Sequence, residues 1–375
     1  MSDTVRVKFV TKVAKYVLPR GDFDISTSLN RKGLSDALNQ VFSLDPHVPF
    51  DFKISGNFLR TTLAQAIRLY QLSTEQAIKV EFFPAMKPPI PGEEQKTDDW
   101  ISCIKVRNQQ IYYTLYNGTF HFGETTLQLS ENNNPSLKSF SFLGENKVVC
   151  GSIDGNATIF DLSGSATPKL LQLHNSSINS VATNETTEHL FITGGSDSCV
   201  SMWSTSEGSS LLSPFVGHQD AVQEVSWDNP SRLTSCSLDR TLRTWDVNTQ
   251  QETGLLSATC GVLCLSVKGD LVLTGHPDRS IRLWDMRSNE RRTVIGEFKA
   301  HNNWISSVSW IRDDVFASAS YDGSVKLWNV GTPIPLYTIS QQDEKVFTIG
   351  NENGHIAFGG TGQIIRKYTI ENEEY

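Results

Sequence analysis

Three features of the sequence predict a mainly β chain in which a small α+β unit precedes a ring of seven small antiparallel sheets. A segment made of an alternating strand, a tight turn and a second strand ending in an aromatic residue recurs six times, with a weaker seventh copy. The copies follow one another at a nearly constant interval. Residues 1–83 take no part in the repeat and mix strand-like with helix-like periodicity.

The N-terminal unit comes first. Thr4–Val10 alternates as a half-buried strand does, and Lys15–Leu18 with Phe23–Ile25 suggest a second strand. Leu34, Leu38 and Val41–Phe42 fall at helical spacing, with Ser28 or Asn30 upstream as the N-cap. Phe50–Ile54 and Phe58–Leu59 read as a hairpin around Gly56. A short helix follows over Leu63–Leu69, and Ala77–Phe83 alternates as a final strand. That order is the order of a β-grasp. Residues 84–97 (PAMKPPIPGEEQKT) read as a semi-rigid linker, because Pro-rich segments favour extended backbone.

The repeats occupy 98–375. Their turn position holds Asn117, Asp154, Asp197, Asp239, Asp278 and Asp322, then Gly362, at gaps of 37, 43, 42, 39, 44 and 40 residues. Asn-Gly or Asp-Gly at 117–118, 154–155 and 322–323 supplies the geometry of a tight hairpin. The aromatic ends include Met202-Trp203, Trp245-Asp246, Trp284-Asp285 and Trp328-Asn329, and Gly217-His218 and Ala300-His301 open two copies. Together these resemble WD40 repeats, each one blade of a β-propeller whose apolar faces are covered by its neighbours. The chain ends soon after the third strand of the seventh blade, at Tyr368–Ile370. The missing fourth strand is therefore expected from within 84–97, short and at an edge because of its prolines.

Composition narrows the function classes. Charged residues make up 20% and hydrophobic ones 38%, which excludes a disordered chain or a coiled coil. No apolar run reaches the ~18 residues of a membrane span, so no membrane partner is expected. The start MSDTVRVKFV lacks a basic end and apolar block, and the six cysteines are scattered, so a non-secreted chain in a reducing compartment is expected. Residues 1–90 carry a charge of +4 and the rest −12. A chain this acidic is a poor general polyanion binder, so RNA contact is expected to be local or indirect.

The N-terminal unit carries the more specific signals. Phe50-Asp51-Phe52, Ile54 and Phe58-Leu59-Arg60, with Leu72-Ser73-Thr74-Glu75 before the last strand, resemble the Notchless-like ubiquitin-like domain. Asp98-Asp99-Trp100-Ile101-Ser102, opening the propeller, fits one family with this two-part layout. It is the WD-repeat ribosome-biogenesis subunit of the complex of pescadillo and block-of-proliferation protein. Notchless itself shares the layout but usually has one more blade. The resemblance implies a non-enzymatic assembly factor for the large ribosomal subunit, in the nucleolus and nucleoplasm. Its propeller docks on block-of-proliferation protein. Its ubiquitin-like domain is held by the metal-dependent adhesion site of midasin, an AAA ATPase that strips the complex from the pre-60S particle. No cofactor of its own is implied, only a Mg²⁺ ion contacted in trans.

Glu75 matches the family's metal-contacting acid. A hard cation with open positions accepts a carboxylate from a second chain if the side chain projects from an exposed loop, and Glu75 lies on a polar tip after Ser73 and Thr74. Glu81, inside the last strand, is the nearest rival.

His218, Ser235 or Ser237, Asp239 and Trp245 fall within one blade, and His301, Ser318 or Ser320, Asp322 and Trp328 within another. A catalytic triad is one reading. A buried hydrogen-bond chain that pins turn to strand is the stronger one, since it repeats. Blade five keeps Asp278 and Trp284 but has Ser257–Cys260 in place of the His, and is expected to be less stable locally. Cys260 and Cys264 lack a second pair at zinc spacing and read as small core residues. Arg287, Arg291 and Arg292 form a basic loop that suits solvent better than RNA. For protein contacts the expected face is the one where the Asp turns emerge, with Trp100, Ile153, Leu238, Trp304 and Tyr321 as anchors. The competing readings are a WD40 adaptor of a ubiquitin-ligase or signalling complex, and a channel hydrolase that lacks a convergent acid–base set.

Overall fold

The computed structural model describes residues 4–16, 18, 21–129, 134–163, 167–184, 187, 189–205, 214–287 and 294–371. By contacts the chain divides into residues 1–88 with the last five, and residues 89–370.

The first unit is a five-stranded mixed sheet with two helices. Its strands are β1 (Thr4–Val10), β2 (Phe23–Ser26), β3 (Phe50–Ile54), β4 (Asn57–Phe58) and β5 (Ile78–Pro84), in the order β2-β1-β5-β3-β4. β1 and β5 are parallel, Val7 opposite Ile78, and the other pairs are antiparallel. Alternation puts Val5, Val7 and Phe9 of β1 and Val80 and Phe82 of β5 into one core with Leu34 and Leu38 of α1 (Arg31–Phe42) and Leu63 of α2 (Leu63–Leu69). Asn30, not Ser28, caps α1: its Oδ1 accepts from Gly33 N–H at 3.1 Å. Thr62 and Gln65 form a capping box on α2. Lys15–Leu18 adds no strand. Ala14–Tyr16 is a 3₁₀ turn that sends Tyr16 into the core against Phe50, so β2 starts only at Phe23. The Phe50-Asp51-Phe52 motif has a physical reason. Its two rings are fully buried, and Asp51 between them pairs with Arg60 at 3.4 Å and with Arg31.

The second unit is a propeller of seven sheets. Their inner strands are Ile101–Arg107, Leu137–Leu143, Ile178–Thr183, Val222–Asn229, Cys264–Lys268, Ile305–Trp310 and Val346–Glu352. Six sheets have four strands. The third has three, with a bridge from Val200 to Phe215 beyond them among the described residues. The fourth strand of blade seven is β6 (Ile90–Lys96), antiparallel to Ile364–Thr369, so the ring closes on chain from before the first blade. Pro91 is tolerated there because β6 is an edge strand, and a register shift falls opposite it. The closing strand belongs to the propeller, so the stretch between units is shorter than 84–97.

Six inner strands carry a bulge at their second residue: Ser102, Lys138, Asn179, Gln223, Ser306 and Phe347. A bulge turns the next side chain into a new direction. Here that residue lines the central channel: Cys103, Ser139, Ser180, Glu224, Ser307 and Thr348, with Cys264 in blade five. Each accepts a backbone N–H from the inner strand of the following blade. Ser139 accepts from Val181 (3.2 Å), Ser180 from Val225 (3.2 Å), Glu224 from Leu265 (2.7 Å), Ser307 from Ile349 (3.4 Å) and Thr348 from Ile104 (3.1 Å). The sulfurs of Cys103 and Cys264 do the same for Phe140 and Val308. The blades are thus linked around the channel by seven clasps. The residue paired with each clasp is small, and at Gly151 an added Cβ would lie 2.5 Å from Ile178 of the next blade.

Candidate functional site

Glu75 stands in an exposed bend between α2 and β5, its backbone N–H donating to Ser73 Oγ at 3.3 Å. The bend follows from the end of α2, where Gln71 takes a left-handed backbone. Beside the bend a cavity of about 410 Å³ is lined by Lys53, Gly56, Ser73, Gln76 and Glu81. Glu81 faces Lys53 across β3 and β5 and lies 3.9 Å from Lys12. The strand acid is therefore engaged with basic neighbours, whereas the tip acid is turned outward. Among the described residues no group of three or more His, Cys, Asp or Glu could hold a metal ion, so a metal at Glu75 needs ligands from another molecule.

The propeller face is organised by one recurring bond. In every blade but the fifth, where Pro277 has no N–H, the residue before the turn position donates its N–H to the carbonyl of the residue before the inner strand, as Tyr116 does to Trp100 (3.0 Å), Leu238 to Ala221 (3.0 Å) and Tyr321 to Trp304 (3.0 Å). Side chains distant in sequence are thereby set side by side. Trp304 stacks on Tyr321 at 6.1 Å and 27°, Tyr321 meets Phe347 at 5.4 Å, and Phe347 meets Tyr116 and Trp100 at 6.1 and 6.4 Å. The result is an aromatic crescent across blades six, seven and one, beside a funnel of about 630 Å³. Trp100 and Trp304 are about half exposed, at 48% and 49%, as is Ile153 at 47%, and Leu238 is 37% exposed. The sequence reading missed Tyr116 and Phe347. Tyr116 precedes Asn117 as Tyr321 precedes Asp322, so that signal was present; Phe347 reaches the face only through its bulge.

The Ser, His and Asp sets form buried chains of bonds. Trp245 Nε1–H donates to Ser235 Oγ (2.9 Å), which lies 2.7 Å from His218 Nε2, while His218 Nδ1 lies 2.8 Å from Asp239. Trp328, Ser318, His301 and Asp322 repeat this at 2.8, 2.7 and 3.1 Å. The carboxylate can only accept, so Nδ1–H donates to it and the neutral ring's Nε2 accepts from the serine hydroxyl, whose oxygen takes the Trp N–H. Ser235 and Ser318 are fully buried beneath their turns, so neither hydroxyl is open to a substrate. Ser237 and Ser320 have a different task, accepting from the Asp239 and Asp322 N–H groups at 3.1 Å each. Burial pushes His218 and His301 down despite their carboxylate partners. Burial also opposes ionisation of Asp322, but bonds from His301, Ser324 and backbone N–H groups outweigh it and hold its carboxyl well below the usual range.

A third chain was missed: Trp203, Thr193, His174 and Asp197, joined at 2.7, 2.6 and 2.9 Å. His174 follows Leu173 rather than Gly or Ala, which hid it. Blade five also differs from the expectation. His276, on the far side of the strand from Ser257–Cys260, takes the histidine place, with Nε2 2.8 Å from Thr274 Oγ1, to which Trp284 donates at 2.7 Å. Arg282 instead pairs with Asp278. Cys264 is buried, but Cys260 is half-buried, 3.7 Å from His276 and from Arg282, and is not a core residue. Arg287 pairs with Asp285, and Arg291 and Arg292 lie outside the described residues.

The channel holds two lysines away from any carboxylate partner. Lys105 Nζ bonds Ser141 Oγ at 3.2 Å, and Lys138 Nζ bonds Asn179 at 2.6 Å. Burial pushes both down. Burial pushes Glu224 up to about 7, against the bond from Leu265 and the charge of Lys105. No helix among the described residues is long and apolar enough to cross a membrane.

Comparison with known proteins agrees with this architecture. Residues 5–67 match the NLE (NUC135) domain, residues 167–204 and 209–246 match the WD domain, G-beta repeat, and residues 257–356 match the DDB1- and CUL4-associated factor 12 beta propeller. Proteins called ribosome biogenesis protein WDR12 homolog are similar along almost the whole chain. The one from Oryza sativa subsp. japonica is 28% identical, covering 92% of this chain and 91% of its own. The one from Drosophila virilis is 28% identical, covering 99% and 97%, and the one from Nematostella vectensis 26%, covering 96% and 97%. Among solved structures, the WD40 beta propeller domain of Doa1 matches with a TM-score of 0.66 at 15% identity, covering 77% of this chain and 98% of its own.

Proposed function

From the premise that the chain is a WD-repeat protein of the WDR12 type with an NLE domain at its N-terminus, we propose that it serves ribosome biogenesis as a scaffold without chemistry of its own. It acts in assembly of the large subunit and maturation of its rRNA, in the nucleolus and nucleoplasm. Its propeller docks on block-of-proliferation protein, with pescadillo as the third member, and this holds the chain on the pre-60S particle. The aromatic crescent from Trp304 to Trp100, with Leu238 and Ile153, is the surface this docking covers. Large half-exposed rings around a desolvated centre are what a binding hot spot requires.

Glu75 gives the N-terminal unit its role. Its carboxylate fills an open position on the Mg²⁺ ion in the metal-dependent adhesion site of midasin, and ATP-driven pulling then removes the complex from the particle. The observation that carries this is the placing of Glu75 on an exposed bend while Glu81 stays among basic neighbours in the sheet. Affinity purification of the tagged chain tests the reading. Recovery of pescadillo, block-of-proliferation protein and pre-60S particles supports it. Recovery of cullin components instead supports a ubiquitin-ligase adaptor, the second reading favoured by the match over residues 257–356.

A further inference from the structure

The channel is lined by more donors than the protein uses. Lys105 projects into its lower half, a chamber of about 450 Å³ formed by the inner strands alone. Among the described residues its ammonium meets only Ser141 Oγ, at 3.2 Å, and the Phe140 ring at 5.7 Å. An ammonium has three donors, so two are left without a protein partner in this half-buried place. The serines around it are in the same position. Ser139, Ser180 and Ser307 each accept a backbone N–H as a clasp, Ser266 accepts from Trp310 N–H at 3.3 Å, and Ser309 accepts from the Asn351 amide. In each case the oxygen is occupied as an acceptor while the hydroxyl proton has no protein acceptor among the described residues. The one carboxylate in this lining is Glu224, and one of its oxygens is taken by Leu265 N–H.

A half-buried cation that makes no ion pair, with Glu224 feeling its charge but bonded to Leu265 N–H, is poorly compensated, and a set of inward hydroxyl donors does not relieve it. What relieves both is a small group that carries negative charge and several acceptor oxygens. We propose that the lower half of the channel binds a free oxyanion of the phosphate type, held by the Lys105 ammonium and the hydroxyls of Ser139, Ser180, Ser266, Ser307 and Ser309. Lysine serves such anions as a point charge, and hydroxyl donors complete the shell. Glu224, on the same clasp ring, opposes the anion and limits its affinity. The lining comes from strands rather than loops, so the occupant is small and enters without displacing a blade.

Isothermal titration of inorganic phosphate into the full-length chain, with sodium chloride at matched ionic strength as the blank, tests this. Saturable binding at one site is expected below about 10 mM. It is expected to vanish in Lys105→Met and to tighten severalfold in Glu224→Gln. Losing two hydroxyl bonds to a charged group in the Ser266→Ala, Ser309→Ala double variant should weaken it at least tenfold. That variant leaves every ion pair intact and carries the test if Lys105→Met fails to fold. Absence of saturable heat, meaning a channel filled by water only, overturns the proposal. So does equal binding by the wild type and the double variant.

Discussion

The two units stabilise themselves in opposite ways. Residues 4–84 gather their apolar side chains into one cluster, in which Phe50 meets Phe82 edge-on and Phe9 meets both Phe82 and Phe52. The propeller divides its apolar residues among several inter-blade clusters and adds buried polar chains in the turns and clasps in the channel. The first design has no redundancy, since every strand leans on the same core. In the second, each blade depends on its two neighbours, so damage stays local and protons matter. The first unit holds or fails as a whole, whereas the ring is a set of blades tied to one another.

The largest expected effect lies in the first unit. Phe52→Ala removes a fully buried ring and should cost about 3–5 kcal/mol, most of what a unit this small possesses. In hydrogen exchange on the full chain, protection should disappear across residues 4–84 and persist across 101–369. Protection lost in both units would break the comparison. Next comes Ser318→Ala, which leaves both His301 Nε2 and Trp328 Nε1–H without a partner inside blade six. Roughly 2–4 kcal/mol of local stability should go, seen as faster exchange in blade six and its neighbours while blades two and three keep their protection.

Acid should sharpen the contrast further. His218, His301 and His276 are depressed in the folded ring, His276 to about 4, by burial first and by Arg282 in its case. The unfolded chain therefore takes up protons that the fold refuses once pH drops below about 6.5. Their contribution is whole above that pH and declines towards pH 4. Asp322, also depressed, adds its own loss below about 4. Glu224 has the reverse sign: its raised value favours the fold in acid and weakens it as pH climbs from about 4.5 to 7. Thermal melts should show Glu224→Gln melting higher than wild type at pH 8 and equal to it near pH 4.5. The smallest effect is Glu75→Ala, an exposed loop change, which should alter the melting of neither unit by more than about 0.5 kcal/mol.

Repetition made the propeller legible. The turn positions, Asp in five blades and Asn117 and Gly362 in the other two, marked out seven blades, and the short last blade required a strand from upstream, which β6 supplies. Alternation and capping residues placed both helices and four of the five strands of the first unit. Position in the sequence served less well where bonds cross between blades. His174 and His276 join their networks from places the repeat pattern does not mark, one without a small residue before it and one just past the end of its blade's second strand. The clasps were invisible for the same reason. A bulge decides whether residue 103 or 102 faces the channel, and period-two alternation cannot show a bulge. Lys15–Leu18 has strand-like composition, yet burying Tyr16 against Phe50 outweighs it. Glu75 could be located from sequence, but its outward setting depends on how α2 ends.

The account of release rests on that one side chain, and binding of the full-length chain to the midasin adhesion-site domain tests it most directly. Titrated with Mg²⁺ present, the wild-type chain should bind, and chelation of the metal should abolish binding. Glu75→Ala should show none at either condition while melting as wild type does, and Glu81→Ala should bind normally. Mg²⁺-dependent binding that survives Glu75→Ala unchanged would contradict the account.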